Sequence, residues 1–174
     1  MTRGLVMVFT GDGKGKTTAA LGMALRAWGH GMRVLVLQFV KSGRLETGER
    51  LAAARLGGRF VVKTLGEGFI LPSGDLTHHR EAAERALATA REALGSNAFD
   101  MVVLDEITHV LKHGLLREEE VLALVDAKPA EVHLVLTGRD ASPALIARAD
   151  LVTEMRVVKH HYEAGVRAQK GVEY

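Results

Sequence analysis

The sequence predicts an α/β fold of three layers, with a mostly parallel sheet of about six strands covered by helices on both faces. Three observations predict it. Apolar runs of strand length alternate with helical stretches along the whole chain, the pattern of repeated βαβ units. Several of those runs are continuously apolar, which marks strands buried on both faces rather than one. The first run is followed at once by a glycine-rich loop and an alanine-rich helix, the joint at which such folds take phosphate groups.

The strands read as follows. Leu5–Phe9 is the first, Val34–Phe39 the second and Arg59–Lys63 a weaker third. Met101–Asp105, Val132–Thr137 and Leu151–Met155 complete the set. Between them, Lys16 to Trp28 carries Ala20, Leu21, Ala24, Leu25 and Trp28 on one helical face and stops at Gly29 and Gly31. Asp75 to Leu94 repeats the pattern with Leu76, Ala83, Leu87, Ala90 and Leu94; Ser73 or Asp75 can cap its start, and Gly95 can end it. Glu118 to Asp126 is a shorter helix stopped near Pro129, and Ser142-Pro143 opens another with serine as cap and proline in the first turn. Two glycine-bearing loops, 42–48 and 66–74, follow strands. In parallel sheets the loops at the strand C-termini build the site, so both are expected there, beside the phosphate loop.

Composition narrows the class. The 174 residues, 47% of them hydrophobic, suit one domain spanning 1–174 with a substantial core. There is no cysteine, which excludes disulfides and thiolate chemistry and fits a reducing compartment. The apolar run before Thr10 is too short for a signal peptide and no later run approaches a membrane span, so a cytoplasmic protein is expected, without a membrane partner. Net charge is +2 with the signs interspersed and aromatic residues are only 5%, which does not favour a nucleic-acid partner.

The chemistry begins at residues 10–18, Thr-Gly-Asp-Gly-Lys-Gly-Lys-Thr-Thr. Closely spaced glycines let backbone N–H groups turn toward phosphate oxygens, and a helix starting near Gly15 adds free donors and the positive end of its dipole. Lys16 supplies a point charge and the Thr17 hydroxyl can ligate magnesium. The loop departs from G-x-x-x-x-G-K-[ST] in one place: Thr10 stands where the first glycine belongs, and the glycines fall at 11, 13 and 15. Met101–Asp105 followed by Glu106 is an apolar strand ending in two carboxylates. That position in a nucleotide site holds magnesium directly or through water, and the second carboxylate can be a ligand, a base or an orienting group. Arg139, after the fifth strand, can reach an anionic group; Gln38 and Lys41 end the second strand at the same edge. His109 and His113 are four apart and could share a helix face, but no third ligand accompanies them. The adjacent pairs His78-His79 and His160-His161 are expected to diverge. On these residues alone, a small-molecule kinase or a nucleotide-dependent switch is as compatible as any other use of a triphosphate.

Further residues carry a resemblance. Thr10–Thr18, Arg26-Ala27-Trp28-Gly29-His30-Gly31, Val36–Lys41, Gly66-Glu67-Gly68-Phe69, Val102–Glu106, Leu136–Arg139, Val158-Lys159-His160 and Ala164–Tyr174 together resemble the P-loop type of ATP:corrinoid adenosyltransferase. The resemblance covers Leu5 to Tyr174 and implies a RecA-like P-loop fold. It also implies transfer of the 5′-deoxyadenosyl group of ATP to Co(I) of a reduced corrinoid, with release of triphosphate in place of phosphoryl transfer. Residues 10–18 and Arg139 would then grip a leaving group, held in reversed orientation so that C5′ faces cobalt. Lys16, Thr17 and Glu106 would act on it, and Thr17, Asp105 and Glu106 would hold Mg2+. Gly68, Phe69 and Leu71 fall at the corrinoid-facing loop, where Phe69 would displace the lower axial ligand of cobalt. Two departures are visible: Leu71 replaces a frequent tryptophan, and the N-terminal segment that covers the site in some members is missing or supplied differently. A homodimer and an electron-donating flavoprotein partner are implied as well.

Overall fold

The computed structural model describes residues 3–44, 46–70 and 74–174. Its sheet contains β1 (Val6–Thr10), β2 (Val34–Gln38), β3 (Phe60–Thr64), β4 (Met101–Asp105), β5 (His133–Thr137) and β6 (Leu151–Glu154). All pairings are parallel and the order is β3-β2-β4-β5-β1-β6. The six expected strands are therefore present, each within a residue or two of its expected bounds. Their continuous apolar character has the anticipated cause. Alternate residues of each strand point to opposite faces, and both faces are covered. On one face, Val8, Leu35, Leu37, Val102, Leu104, Leu134 and Leu136 pack in one buried cluster. On the other, Met7, Phe9, Val34, Val36, Met101, Val103 and Val135 form a second.

The helices divide between those faces. α1 (Lys16–Gly29) and α2 (Gly48–Leu56) pack on the second cluster through Ala20, Ala24, Ala27 and Ala53. α3 (Thr77–Gly95), α4 (Ile107–Lys112), α5 (Glu118–Asp126) and α6 (Pro143–Arg148) pack on the first through residues such as Ala86, Leu87, Ala90, Ile107, Val121 and Leu145. The expected caps of α6 are present: Ser142 Oγ accepts from Leu145 N at 3.1 Å, and Pro143 occupies the first turn.

Three readings need correction. α3 starts at Thr77 rather than Asp75, because Asp75 Oδ1 accepts from both Thr77 N (2.9 Å) and Thr77 Oγ1 (2.6 Å), a local turn that competes with helix. The alternative cap, Ser73, lies outside the described residues. α2 and α4 were not anticipated as helices. α2 has a single fully buried apolar residue, Ala53, and α4 is only six residues long, so neither shows a sustained periodic face. His160 and His161 do not diverge; their rings stack with centroids 4.7 Å apart. The alternation rule assumes a continuous strand, and here the chain passes from an extended His160 into a 3₁₀ turn over His161–Ala164.

β1 exits into the loop that opens α1, and that loop is pinned from the side. Gly13 N donates to Met155 O at 2.6 Å and Met155 N to Thr10 O at 2.8 Å, joining the loop to the segment leaving β6. The approach is too close for a side chain: a Cβ on Gly13 would lie 2.7 Å from Met155 O. Gly22, within α1, has nothing within 4 Å of that position. The two glycines therefore predict opposite signs. Gly13→Ala destabilises by about 1–3 kcal/mol through backbone displacement. Gly22→Ala stabilises by roughly 0.5–1 kcal/mol through reduced unfolded-state entropy. Urea unfolding of the two variants beside the parent protein measures both, and equal signs would refute the account.

Candidate functional site

The irregular loop has a clear geometry. Positive φ falls at Gly11 (93°) and Gly15 (118°), where a side chain would be strained. Thr10 is still the last residue of β1 and makes no such demand, so the position of the usual first glycine tolerates threonine. Its hydroxyl is used: Thr10 Oγ1 accepts from Ala141 N at 3.1 Å, which ties the loop to the chain beyond β5. Gly13 N–H is spent on Met155. The N–H groups of Lys16, Thr17 and Thr18 open α1, and the first turn of a helix leaves such donors without intrahelical partners. Lys16 is buried and curls into the loop, with Nζ donating to Gly11 O (2.7 Å) and Gly13 O (2.8 Å). Burial lowers its pKa, with Glu106 acting in the opposite direction. An ammonium has a third N–H, which these two carbonyls leave over.

At β4 the two carboxylates part company. Asp105 is 1% exposed. Its Oδ1 accepts from Thr17 Oγ1 (2.7 Å) and Thr137 Oγ1 (2.8 Å), and its Oδ2 receives Gln38 Nε2 at 3.4 Å. Glu106 instead lines the cavity beside the loop. It opens α4 in a left-handed conformation, φ 61° and ψ 27°, unusual for a residue with a side chain. Its N–H donates to Thr137 Oγ1 at 2.9 Å. Burial, with Asp105 adding to it, raises the Glu106 pKa against the pull of Lys16, Arg139 and Lys41.

The cavity has a volume of about 440 Å³ and joins Lys14–Thr18 with Lys41, Glu49, Glu106 and the C-terminal residues Gly171–Tyr174. The 42–48 loop reaches the same cavity through Gly48, with Lys41 and Glu49 on either side of it. A smaller cavity of about 250 Å³ adjoins it, lined by Asp12, Gly13, Arg139 and His161 among others. Arg139 is more than half exposed, with Nε 3.8 Å from Asp12 Oδ1. Glu173 borders both cavities, its Oε1 3.2 Å from Lys14 Nζ and 3.5 Å from His161 Nε2. The tail's position here had no local sequence signal, since its polar residues show no period.

The 66–70 segment lies at the same C-terminal edge but not beside the phosphate loop. β2, β4 and β5 stand between β3 and β1, a separation of roughly 19 Å at ordinary strand spacing. Gly68 N donates to Val40 O at 2.8 Å and adopts φ 102°, turning the chain outward. Phe69 is 91% exposed, so its ring belongs neither to the core nor to a packed lid. Leu71 lies outside the described residues. His109 and His113 do lie close, with ring centroids 4.6 Å apart, but among the described residues no three His, Cys, Asp or Glu form a metal-binding group. No described helix is long and apolar enough to cross a membrane.

A parallel sheet with a phosphate loop after β1 and carboxylates after β4 defines the RecA-like class of P-loop nucleotide-binding proteins. Solved structures agree on the fold: RadB recombinase matches with TM-score 0.55 at 18% identity, over 90% of this chain and 77% of that one. The flagellar accessory protein FlaH of Methanocaldococcus jannaschii gives 0.59 at 9% identity, over 88% and 72%. Within that class, the chain belongs to the ATP:corrinoid adenosyltransferase BtuR/CobO/CobP family, whose model matches residues 2–174. It is 45% identical over 172 residues to a corrinoid adenosyltransferase of Pseudomonas aeruginosa, covering 99% of this chain and 84% of that protein. A corrinoid adenosyltransferase of Escherichia coli K12 is 40% identical over 172 residues, with 99% and 86% covered. Membership identifies an enzyme of the adenosyltransferase type and disfavours a kinase or a switch.

Glu49 gives the site a measurable pH signature. Burial pushes its carboxyl up, but hydrogen bonds from Lys41 and Gln38, with its own backbone and the Lys41 charge, bring it down to about 2. A depressed carboxylate stabilises above its unfolded value and loses that contribution as pH falls toward the folded one. Glu49→Gln is therefore expected to cost about 2 kcal/mol at pH 7, with the deficit shrinking between about pH 4.5 and pH 2. Denaturant titrations across that range check it, and a pH-independent deficit would reject the ionic account.

Proposed function

We propose that this chain transfers the 5′-deoxyadenosyl group of ATP to Co(I) of a reduced corrinoid. The C5′–O bond breaks, a Co–C bond forms and inorganic triphosphate leaves with the bonding electron pair. The observation that carries the reading is the composition of one cavity: a phosphate loop, a buried lysine and a cavity-facing carboxylate, in a chain of the corrinoid adenosyltransferase family. Such groups act best where charge develops, on the departing triphosphate. Lys16 neutralises that charge, the loop 10–18 binds it through the backbone donors that open α1 at Lys16, Thr17 and Thr18, and Arg139 guards the adjoining cavity. A triphosphate reversed in the loop brings C5′ outward, as attack by cobalt requires.

Thr17 Oγ1, Asp105 and Glu106 are hard oxygen donors of the kind Mg2+ takes. In this reading Thr17 and Glu106 face the ion and Asp105, already bonded to Thr17, orients it. Bound there, Mg2+ would neutralise charge on the triphosphate. The exposed Phe69 ring, presented by Gly68, supports a role on the lower face of the corrin, where it would displace an axial ligand; Leu71 completes that loop in the reading. An electron-donating flavoprotein would generate Co(I), and a second copy of the chain has an available surface in β6, the exposed edge strand carrying Leu151 and Val152. With no cysteine, the cytoplasm suits the reading.

Anaerobic incubation with ATP, Mg2+ and chemically reduced corrinoid is expected to yield triphosphate and a light-sensitive adenosylcorrinoid. ADP and phosphate without a cobalt–carbon product would reject the reading. Lys16→Ala should lower turnover about a hundred- to a thousandfold with the fold intact; unchanged turnover would remove its assigned role. Phe69→Ala should impair reaction with base-on cobalamin more than with a corrinoid lacking the lower base. Equal losses would leave Phe69 without a part in ligand displacement.

A further inference from the structure

A further cation lines the cavity beside Lys14 and Lys16, and its setting is unusual. Lys41 follows β2, and its Nζ donates to Glu49 Oε1 in the first turn of α2. Both residues line the cavity with Lys16, Thr17 and Glu106. The same Glu49 oxygen accepts from Gln38 Nε2 at 3.0 Å, and that nitrogen also reaches Asp105 Oδ2 at 3.4 Å. A connected path of side chains therefore runs from Lys41 through Glu49, Gln38 and Asp105 to Thr17 of the phosphate loop.

Stability alone does not explain this path. Gln38 is 0% exposed, the last residue of β2, a strand otherwise built from Val and Leu. Its Oε1 is buried without a hydrogen-bond partner among the described residues, as is Thr47 Oγ1, which immediately precedes α2. An apolar residue at position 38 would avoid the unpaired acceptor, but only by removing the amide donor that Glu49 and Asp105 share. What the amide accomplishes is registration: it joins the carboxylate that holds Thr17 to the carboxylate that holds Lys41. A lysine directed at phosphate by a glutamate from a neighbouring helix is also the working pair of protein kinases, on unrelated chain positions.

We infer that Lys41 is a further polyphosphate-binding cation of this site, supplied from outside the phosphate loop, and that Glu49 and Gln38 are the residues that position it. The inference rests on the reading of the cavity as a triphosphate site. It needs neither corrinoid nor turnover for its test. One N–H of Lys41 is committed to Glu49, which fixes the ammonium at the cavity wall and leaves two donors for phosphate oxygens.

The experiment is calorimetric titration of the full chain with inorganic triphosphate and Mg2+. Lys41→Met keeps the aliphatic stem and is expected to weaken binding about 10- to 100-fold, the range for a charge-assisted contact. Arg26→Met, removing an equal charge from the far end of α1, should change it less than about twofold. Glu49→Gln carries the positioning claim, because a purely electrostatic account predicts the opposite sign. Deleting a negative charge near an anion site should tighten binding, whereas releasing Lys41 should weaken it by roughly three- to tenfold. The double variant should then bind no more weakly than Lys41→Met alone. Unchanged affinity in a folded Lys41→Met protein, or tighter binding in Glu49→Gln, overturns the inference. Should Lys41→Met lose its thermal unfolding transition, the sign of the Glu49→Gln effect decides alone. A parent protein that binds triphosphate yet forms no adenosylcorrinoid would fail the proposed reaction and leave this inference standing.

Discussion

The carboxylate of Asp105 is the junction on which the site is assembled. It is almost wholly removed from solvent, and a buried carboxylate is costly unless several donors converge on it. Here they come from three elements: Thr17 from α1, Thr137 from β5 and Gln38 from β2. The phosphate loop is thereby locked to the sheet from inside, while Gly13 and Met155 lock it from outside. A structure with this arrangement cannot let the loop drift without leaving a charge unpaired. The consequence is functional: donors aimed at a departing triphosphate are effective only if they are in place before the charge appears.

Left-handed backbone also occurs at this junction. Glu106 takes a left-handed backbone conformation directly after Asp105, and Gly11, Gly15 and Gly138 supply further positive φ angles around it. Gly138 follows Thr137 closely against α4, where an added Cβ would collide with Thr108 Oγ1. Left-handed backbone in a residue with a side chain persists only where its surroundings over-determine it. The Glu106 N–H to Thr137 Oγ1 bond is one such surrounding, since Thr137 also serves Asp105. The two carboxylates are thus held on opposite sides of a sharp turn, one sealed among hydroxyls and one turned to the cavity.

The sheet was legible because strands buried on both faces leave long apolar runs that no helix period imitates, and Val34–Leu37 or Met101–Leu104 admit little else. The loop at 10–18 was legible because its glycines and Lys16 sit at fixed offsets from the strand. What escaped notice shares a cause. Glu49, the tail residue Glu173 and the pairing of His160 with His161 acquire meaning only from residues distant in sequence or from an irregular backbone, and no local period announces either. Gln38 is the instructive intermediate. A glutamine closing an apolar strand suggests a solvated end, and only its complete burial reveals it as a bridge between carboxylates. The misplaced first glycine resolves in the same way: Thr10 is still strand, and the positions that need positive φ belong to Gly11 and Gly15.

The strand order also constrains how two substrates meet. The phosphate loop follows β1 and the Phe69 segment follows β3, at one edge of the sheet but with three strands between them. The strands that carry them belong to one parallel sheet, which sets the spacing of their C-terminal ends. A reaction between a group held at the loop and a group held at Phe69 therefore requires ligands that span the interval. In the proposed reaction, a nucleoside triphosphate gripped by its polyphosphate would extend its nucleoside end away from the loop, and a planar ring system on the exposed Phe69 would extend back toward it. Lys41 and Glu49 lie on the chain between these two ends, immediately after β2 and at the start of α2. Their link to Asp105 through Gln38 makes that middle ground part of the same hydrogen-bonded unit as the phosphate loop. The side chains from Lys41 to Thr17 thus form one hydrogen-bonded wall of the cavity, with the exposed Phe69 further along the same edge of the sheet.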